Sequence, residues 1–329
     1  MTNFDKLVSV INSKQVYIQT HNFPDPDAIS SAFGLQKLLK TRNIAATICY
    51  KGKIDRNNIK KMLELFEIEV VNVHDIENLM ESDEVILIDA QKGNGNTDDI
   101  IGNEIACVDH HPSNNNIEYK FADIRTDVGA CASIIAYYFI ENNIPMEKNV
   151  AEALLYGIKI DTADMTRGVS KLDLDIFYEL FQHTDRKRIN TLESEVLSLE
   201  DLKAFGSAIE SIFISDNVSF ANTGNNCPEA LIATIADFML EIVNVNVAMV
   251  YSIKDTGIKF SIRCTRNSGI NAGRLIIDAL RGIGTGGGHS IMAGGFVPYN
   301  EKTSRDMTSD IVNSVKDKFL SLVKNNAKK

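Results

Sequence analysis

The stretch His21-Asn22-Phe23-Pro24-Asp25-Pro26-Asp27 decides how this chain is read. It sets an imidazole and two carboxylates on one short segment, after the β-like run Val16-Tyr17-Ile18. From Ala28 to Thr41 the apolar positions Ile29, Ala32, Phe33, Leu35, Leu38 and Leu39 recur at helical spacing and give a wide stripe. Two carboxylates held this close raise each other's pKa unless a cation compensates them. Asp27 also stands where an N-cap is expected, and capping alone would account for it in isolation. The reading turns on whether the rest of the chain brings further ligands to the same place.

Downstream, short apolar runs alternate with amphipathic stretches. Strands are expected over Ala46–Tyr50, near Val70–Val73, over Val85–Ile88 and over Ile105–Val108, with a helix from Asn58 to Glu67. This rhythm predicts an α/β fold, a mostly parallel, doubly wound sheet with helices on both faces. Ligands bind beyond the carboxyl ends of such strands. The run ending at Ile88 leads into Asp89, and the run ending at Val108 leads into Asp109-His110-His111. The chain has six histidines, and three of them, His21, His110 and His111, follow strands in this way, which random placement does not explain.

After residue 120 the pattern is helical. Asp127-Val128-Gly129-Ala130 opens one helix, a second runs from about Glu147 to Lys159 and delivers Asp161, and a third spans Leu172–His183. The charge cluster Thr184-Asp185-Arg186-Lys187-Arg188 marks a boundary. The expected organisation is a first domain over 1–186, a helical linker over 187–210 and a smaller α/β domain over 211–329, with a cleft between the domains. The last of these holds a strand alternation from Ile212 to Ala221, a helix over Glu229–Ile242, strands over Asn246–Ile253 and Ile258–Cys264, a helix from Ala272 to Leu280, a loop-like glycine run from Gly282 to Gly288 ending in His289, and a terminal helix over Ser304–Lys324.

Bulk composition narrows the function. Hydrophobic residues make up 44% of the 329 and charged ones 24%, the profile of a globular protein with a real core. No apolar run approaches the roughly 20 residues of a membrane helix, and the N-terminus lacks the pattern of a signal peptide, so a cytoplasmic protein without a membrane partner is expected. The five cysteines are scattered with no C-x-x-C pair, which excludes a zinc knuckle. A net charge of −10 and a pI near 5.2 suit a long nucleic acid poorly, whereas a small anion remains accessible through bound cations and a few arginines.

If His21, Asp25, Asp27, Asp89, His110 and Asp161 meet at one sheet edge, four carboxylates and two imidazoles surround a volume fit for two divalent ions. Mixed nitrogen and oxygen ligation favours Mn²⁺, and Mg²⁺ less well. One carboxylate must bridge if the ions are to sit about 3.5–4 Å apart, as hydrolysis by a metal-activated hydroxide requires.

The ordered motifs His21-x-x-x-Asp25-x-Asp27, Ile88-Asp89, Asp109-His110-His111, Gly157-x-x-x-Asp161-Thr162 and Gly286-Gly287-Gly288-His289-x-x-x-Ala293-Gly294-Gly295 resemble those of the DHH family of phosphoesterases with its DHH-associated C-terminal domain, in the manner of nanoRNase and pAp phosphatase-type proteins. Ser30 stands where the family pattern has a glycine. The resemblance implies that His21, Asp25 and Asp89 hold one metal, and that Asp27, Asp89, His110 and Asp161 hold the other with Asp89 bridging. It implies that His111 faces the substrate as hydrogen-bond donor or acid, with Asp109 behind it, and that Arg263, Gly286, Gly287, Gly288 and His289 contact the substrate.

The expected activity is hydrolysis of short oligonucleotides, linear or cyclic dinucleotides, or 3′-phosphorylated nucleotides such as pAp. Two rivals stand beside it, a pyrophosphatase or exopolyphosphatase and a non-catalytic nucleotide-binding module. A homodimer is left open.

Overall fold

The first element, α1 (Asn3–Ser9), lies ahead of the region in which the alternation is legible; Thr2 caps it, and Phe4 and Leu7 are buried. The run before the His21 loop forms β1 (Gln15–Gln19), and the apolar stripe after it forms α2 (Pro26–Thr41). There follow β2 (Ala45–Tyr50), α3 (Asn57–Phe66), β3 (Val71–Asn72), β4 (Glu84–Ile88), β5 (Asn103–Asp109) and β6 (Phe121–Ile124). Three helices come next, α4 (Cys131–Glu141), α5 (Lys148–Asp161) and α6 (Lys171–Gln182). The structure, a computed structural model, describes residues 1–54, 56–94, 96–112, 117–194, 197–301 and 303–326.

The six strands pair in parallel in the order β3-β2-β1-β4-β5-β6. Connections run outward from β1 in one direction and from β4 in the other. The switch point therefore falls between these two strands, where such sheets bind ligands. The main core joins one face of this sheet, including Val16, Ile18, Ile86, Ile88 and Val108, to α1, α2, α4 and α5. Helices were expected on the other face as well. There Val85, Leu87 and Cys107 pack instead with Tyr17, Ile100, Tyr119 and Ile124. The reason lies in the connections: residues 89–102 and 110–120 contain no helix among their described residues, so loops do the covering.

The stretch read as a linker holds two helices, α7 (Arg186–Glu193) and α8 (Leu199–Glu210), and residues 195 and 196 between them lie outside the described residues. α7 packs on α3, and α8 packs on the strand β8 (Val218–Asn225), which pairs with β7 (Phe213–Ser215). The chain accordingly divides into two units, Met1–Val196 and Leu197–Lys329.

The second unit continues with α9 (Glu229–Leu240), β9 (Val247–Lys254), β10 (Gly257–Cys264), α10 (Ala272–Leu280), β11 (Thr285–Gly288), β12 (Met292–Pro298) and α11 (Thr308–Asn326). Its sheet runs β11-β12-β10-β9-β8-β7, with β8 and β9 parallel and the other pairs antiparallel. Val247, Met249 and Phe260 pack with α10 and α11 on one face, while Ala248 and Val250 pack with α8 and α9 on the other.

The glycine run read as a loop is in part the edge strand β11, with Gly286 opposite Gly295 and Gly287 opposite Gly294. Two of its glycines have packing reasons. A Cβ on Gly286 would meet Ile276 of α10 at 3.0 Å, and Gly288, at φ +145°, would bring a Cβ to 2.5 Å from the Met292 carbonyl. A strand poor in side chains lies flat against a helix, and its composition disguises it as a loop.

Candidate metal centre

Five elements, β1, α2, β4, β5 and α5, deliver the six predicted ligands to one place. Two long-range hydrogen bonds hold the His21 loop open at the end of β1: Asn22 N–H donates to the Asn96 carbonyl at 2.8 Å and Phe23 N–H to the Lys51 carbonyl at 3.0 Å. Pro26 occupies the first helical position of α2, which its fixed φ suits. The N-cap is therefore Asp25 rather than Asp27: its Oδ1 accepts from Asp27 N at 2.9 Å and Ala28 N at 3.1 Å. Asp27 is 1% exposed and caps a different helix. Its two oxygens accept from Cys131 N and Ala132 N, at 2.8 and 2.9 Å, in the first turn of α4. The helix expected to open at Asp127-Val128-Gly129-Ala130 thus begins one residue later, with its cap supplied from α2.

Asp89 follows β4 in the left-handed region, at φ +54°, while its N–H still bonds the Val108 carbonyl at 3.0 Å. Asp is one of the few residues that tolerate this conformation. Asp161 is the last residue of α5, which approaches α2 closely at Gly157. A Cβ there would lie 2.1 Å from Ser30 Oγ and 3.2 Å from Asp27 Cα. The serine at position 30 therefore faces the one glycine that leaves room for it.

The side chains fall into two sets that share Asp89. Its Oδ2 lies 3.6 Å from His21 Nε2, which is 3.8 Å from Asp25 Oδ1. Its Oδ1 lies 3.3 Å from His110 Nε2, which is 3.3 Å from Asp161 Oδ2 and 3.9 Å from Asp27 Oδ2. One ligand atom from each of His21, Asp25 and Asp89 lies within 4.8 Å of the others, and the same holds for Asp27, His110 and Asp161.

The histidines are oriented from behind. His21 Nδ1 meets the Asn22 carbonyl at 2.8 Å, and His110 Nδ1 meets the Val128 carbonyl at 3.2 Å. A carbonyl only accepts, so each Nδ1 carries the proton and each Nε2 is turned into the cluster, as in histidines that ligate metals. Asp89 Oδ1 and His110 Nε2 are buried and have no hydrogen-bond partner. Buried polar atoms are rarely left this way, and a cation between them would satisfy both. The donor set fits divalent cations.

The electrostatics agree. Burial opposes charge on His21, but Asp25 and Asp89 outweigh it and lift the imidazole to about 10. On His110 burial again works downward, and Asp89, Asp27 and Asp161 carry the value to about 11. Burial raises Asp161 to about 6, with the charges of Asp25 and Asp89 adding to it against His110, and burial with the same kind of neighbours lifts Asp27 well above the carboxylate range. Asp25 is held far below that range by His21, against its own burial. Without cations the cluster collects protons; divalent ions supply the same compensation.

His111 and Asp109 form the next layer. Asp109 is fully buried, and every contact it makes is a hydrogen bond it accepts: at Oδ1 from His110 N (2.7 Å), His111 N (3.2 Å) and His111 Nδ1 (2.9 Å), and at Oδ2 from Gln91 Nε2 (2.7 Å). These bonds fix the His111 ring and the backbone of His110 and His111. Gln91, which sequence reasoning missed, also donates to the His111 carbonyl at 2.8 Å. The His111 side chain is 39% exposed with Nδ1 engaged by Asp109, which leaves Nε2 as the ring nitrogen outside that bond. Burial lowers its pKa, but the bond to Asp109 and the charge of Asp89 produce a net rise.

In the second unit, Arg263, Gly288 and His289 line one pocket of about 310 Å³ with Ile232, Lys259 and Met292. Arg263 Nε donates to Asp237 Oδ1 at 2.7 Å, and Lys259 pairs with Glu229 at 2.7 Å. Gly286 is packed under α10, and a Cβ on Gly287 would meet no atom within 4 Å. Gly286 and Gly287 thus do not line this pocket.

Fold and site together define an α/β protein whose sheet gathers a divalent-cation ligand set at its switch point. The sequence profile of the DHH family N-terminal domain matches residues 15–158, and that of the DHHA1 domain matches residues 215–325. The chain belongs to the DHH family. An uncharacterized protein of Methanocaldococcus jannaschii is 31% identical over 282 residues, 85% of this chain and 57% of that one, so this chain spans little more than half of that relative. A Streptococcus thermophilus "probable manganese-dependent inorganic pyrophosphatase" is 27% identical over 74% of this chain and 79% of its own length. A Streptococcus mutans "probable bifunctional oligoribonuclease and PAP phosphatase NrnA" is 25% identical over 49% of this chain and 50% of its own. The crystal structure of an exopolyphosphatase-related protein from Bacteroides fragilis has the same fold, with a TM-score of 0.78 at 17% identity, covering 98% of this chain and 97% of that one. No helix among the described residues is long and apolar enough to cross a membrane.

Proposed function

We propose that this chain is a two-metal phosphoesterase acting on short oligonucleotides, dinucleotides or 3′-phosphorylated nucleotides. The observation that carries the reading is Asp89, whose two oxygens each face a separate ligand set. His21, Asp25 and Asp89 would hold one ion, and Asp27, Asp89, His110 and Asp161 the other, Mn²⁺ in preference to Mg²⁺ given the mixed ligands. Such ions, when bound, neutralise charge on phosphoryl oxygens and make water acidic enough to attack phosphorus near neutral pH.

The remaining work falls to the protein. Asp109 fixes the His111 ring by accepting from Nδ1, and in the imidazolium form that Asp109 and Asp89 favour Nε2 carries the second proton. As a water oxygen adds to phosphorus and the P–O bond to the leaving group breaks, that proton passes to the leaving oxygen, and the proton the water sheds restores the imidazolium. Arg167, whose Nη2 donates to the Asp161 carbonyl at 2.6 Å and to its Oδ1 at 3.5 Å, steadies that residue and would add positive charge beside a bound phosphate. In the second unit, the pocket lined by His289 joins the cationic Arg263 and Lys259 to the apolar Ile232 and Met292, which suits a nucleoside phosphate better than bare pyrophosphate.

Cleavage of P–O–P bonds is the second reading, favoured by the likeness to the Streptococcus thermophilus pyrophosphatase. With Mn²⁺ present, a panel of dinucleotide, pAp, cyclic dinucleotide, pyrophosphate and polyphosphate separates the two. Mononucleotides or adenosine monophosphate are the expected products. Orthophosphate from pyrophosphate alone would replace this reading with the second, and tight nucleotide binding without turnover under any divalent ion would leave a binding module.

A further inference from the structure

One buried carboxylate outside the ligand set is more heavily engaged than a helix cap needs to be. Asp173, in the first turn of α6, is fully buried. Its Oδ2 accepts from Ser170 N at 2.8 Å and Ser170 Oγ at 2.6 Å, which closes the capping box of α6. The same oxygen also accepts from Gly129 N at 2.8 Å, and Oδ1 accepts from Ser133 Oγ at 2.6 Å. Those last two donors flank the start of α4, so Asp173 ties that start to α6.

The tethered segment supports three ligands of one set. The Val128 carbonyl, one residue before Gly129, orients His110 through Nδ1. The N–H groups of Cys131 and Ala132 hold both oxygens of Asp27. Gly129 also lies under Thr162, the neighbour of Asp161: a Cβ on it would meet Thr162 Cγ2 at 2.9 Å and Asp173 Oδ2 at 3.0 Å. His21 and Asp25 are held by other means, the bonds of the loop to Asn96 and Lys51 and the cap of α2.

We propose that Asp173 is a positioning residue for the Asp27, His110 and Asp161 set and not for the His21 and Asp25 set. The proposal rests on the two-metal reading above. An ordinary capping residue would stabilise α6 and treat both sets alike. Asp173 instead fixes the backbone from which one set is hung, and partners behind metal ligands typically alter affinity by 10- to 100-fold.

The test is Mn²⁺ binding, followed by the electron paramagnetic resonance of free Mn²⁺, in two backgrounds that each disable one set: His21→Ala and Asp161→Ala. Asp173→Asn places an amide N–H₂ among donors. It is expected to weaken the ion remaining in the His21→Ala background about tenfold or more. In the Asp161→Ala background the change is expected to stay within about twofold, the ordinary scatter of non-interacting sites. Ser170→Ala breaks the cap of α6 and spares the bonds to Gly129 and Ser133, so it is expected to lower Tm and leave both ions alone. If Asp173→Asn does not fold, Ser133→Ala carries the test, with about a threefold loss confined to the His21→Ala background. Equal weakening in both backgrounds, or none in either, overturns the proposal. Absence of Mn²⁺ binding by the unaltered protein would overturn the two-metal reading itself, and this inference with it.

Discussion

The sheet edge of the first unit and the pocket of the second hold their side chains in opposite ways. At the edge, each histidine ligand is fixed through its second nitrogen, and Asp25 and Asp27 each cap a helix with the carboxylate that faces the cluster. In the pocket, Arg263 leans on an Asp237 that is 61% exposed, and His289 stands at the end of an edge strand. The first arrangement suits chemistry, where misplacing a group by an ångström is costly. The second suits a substrate that must be admitted and released. On the proposed reading, the first unit would carry the reaction and the second would contribute to the choice of substrate.

The largest effect should come from the residue common to both ligand sets. Asp89→Asn keeps a side chain that tolerates φ +54° and removes the charge both sets share. Turnover of a dinucleotide is expected to fall by about 10³-fold or more, the scale of several kcal/mol of lost charge stabilisation. Calorimetry with Mn²⁺ should show both ions weakened while circular dichroism stays native. Loss of one ion alone would mean that the carboxylate does not serve both sets. Arg263→Ala tests the other side of the contrast. Its loss leaves Asp237 exposed to water rather than buried, so the fold should survive. KM for the dinucleotide is expected to rise about tenfold with kcat nearly unchanged, the signature of lost uniform binding. A fall in kcat comparable to that of Asp89→Asn would erase the division of labour.

Much of the centre is readable before folding because ligand chemistry recurs at one kind of place. His21, Asp89 and His110 each follow an apolar run, and a parallel sheet collects the ends of such runs at one edge. What escapes is long-range. Asp27 looks like the cap of its own helix, yet it caps one that begins 104 residues later in the chain, and only the packed structure shows this. Asp173 and Gln91 carry no local mark beyond a capping box and a strand end. The one-sided helical cover of the first sheet is missed because the alternation of runs says nothing about the connections after β4 and β5. The strand β11 is missed because glycine hides β-periodicity.

The smallest effect on function, and the sharpest control on the comparison, belongs to Asp123. It lies on β6, in the unit that carries the cluster, but its partners are structural: Arg125 Nε and Nη2 at 2.8 and 2.7 Å, Tyr138 Oη at 2.7 Å and Asn3 Nδ2 at 3.0 Å. Burial works to raise its pKa, but Arg125, Tyr138 and Asn3 outweigh it and hold the carboxyl below the ordinary value of 3.8. The sign of the linkage follows. A carboxyl bound more weakly by protons in the folded state than in the unfolded one adds stability above the unfolded pKa and loses it as pH falls through the folded value. Asp123→Asn should therefore be less stable than the unaltered protein at pH 7, by about 1–3 kcal/mol for the broken hydrogen bonds. In urea denaturation the gap should narrow below about pH 4, where the unaltered carboxyl begins to take its proton. Mn²⁺ affinity and turnover at pH 7 should stay as they were, because neither ligand set leans on Asp123. If Mn²⁺ binding falls along with stability, the cluster is not held independently of the general firmness of its unit, and the contrast with the second pocket would reduce to a difference in packing.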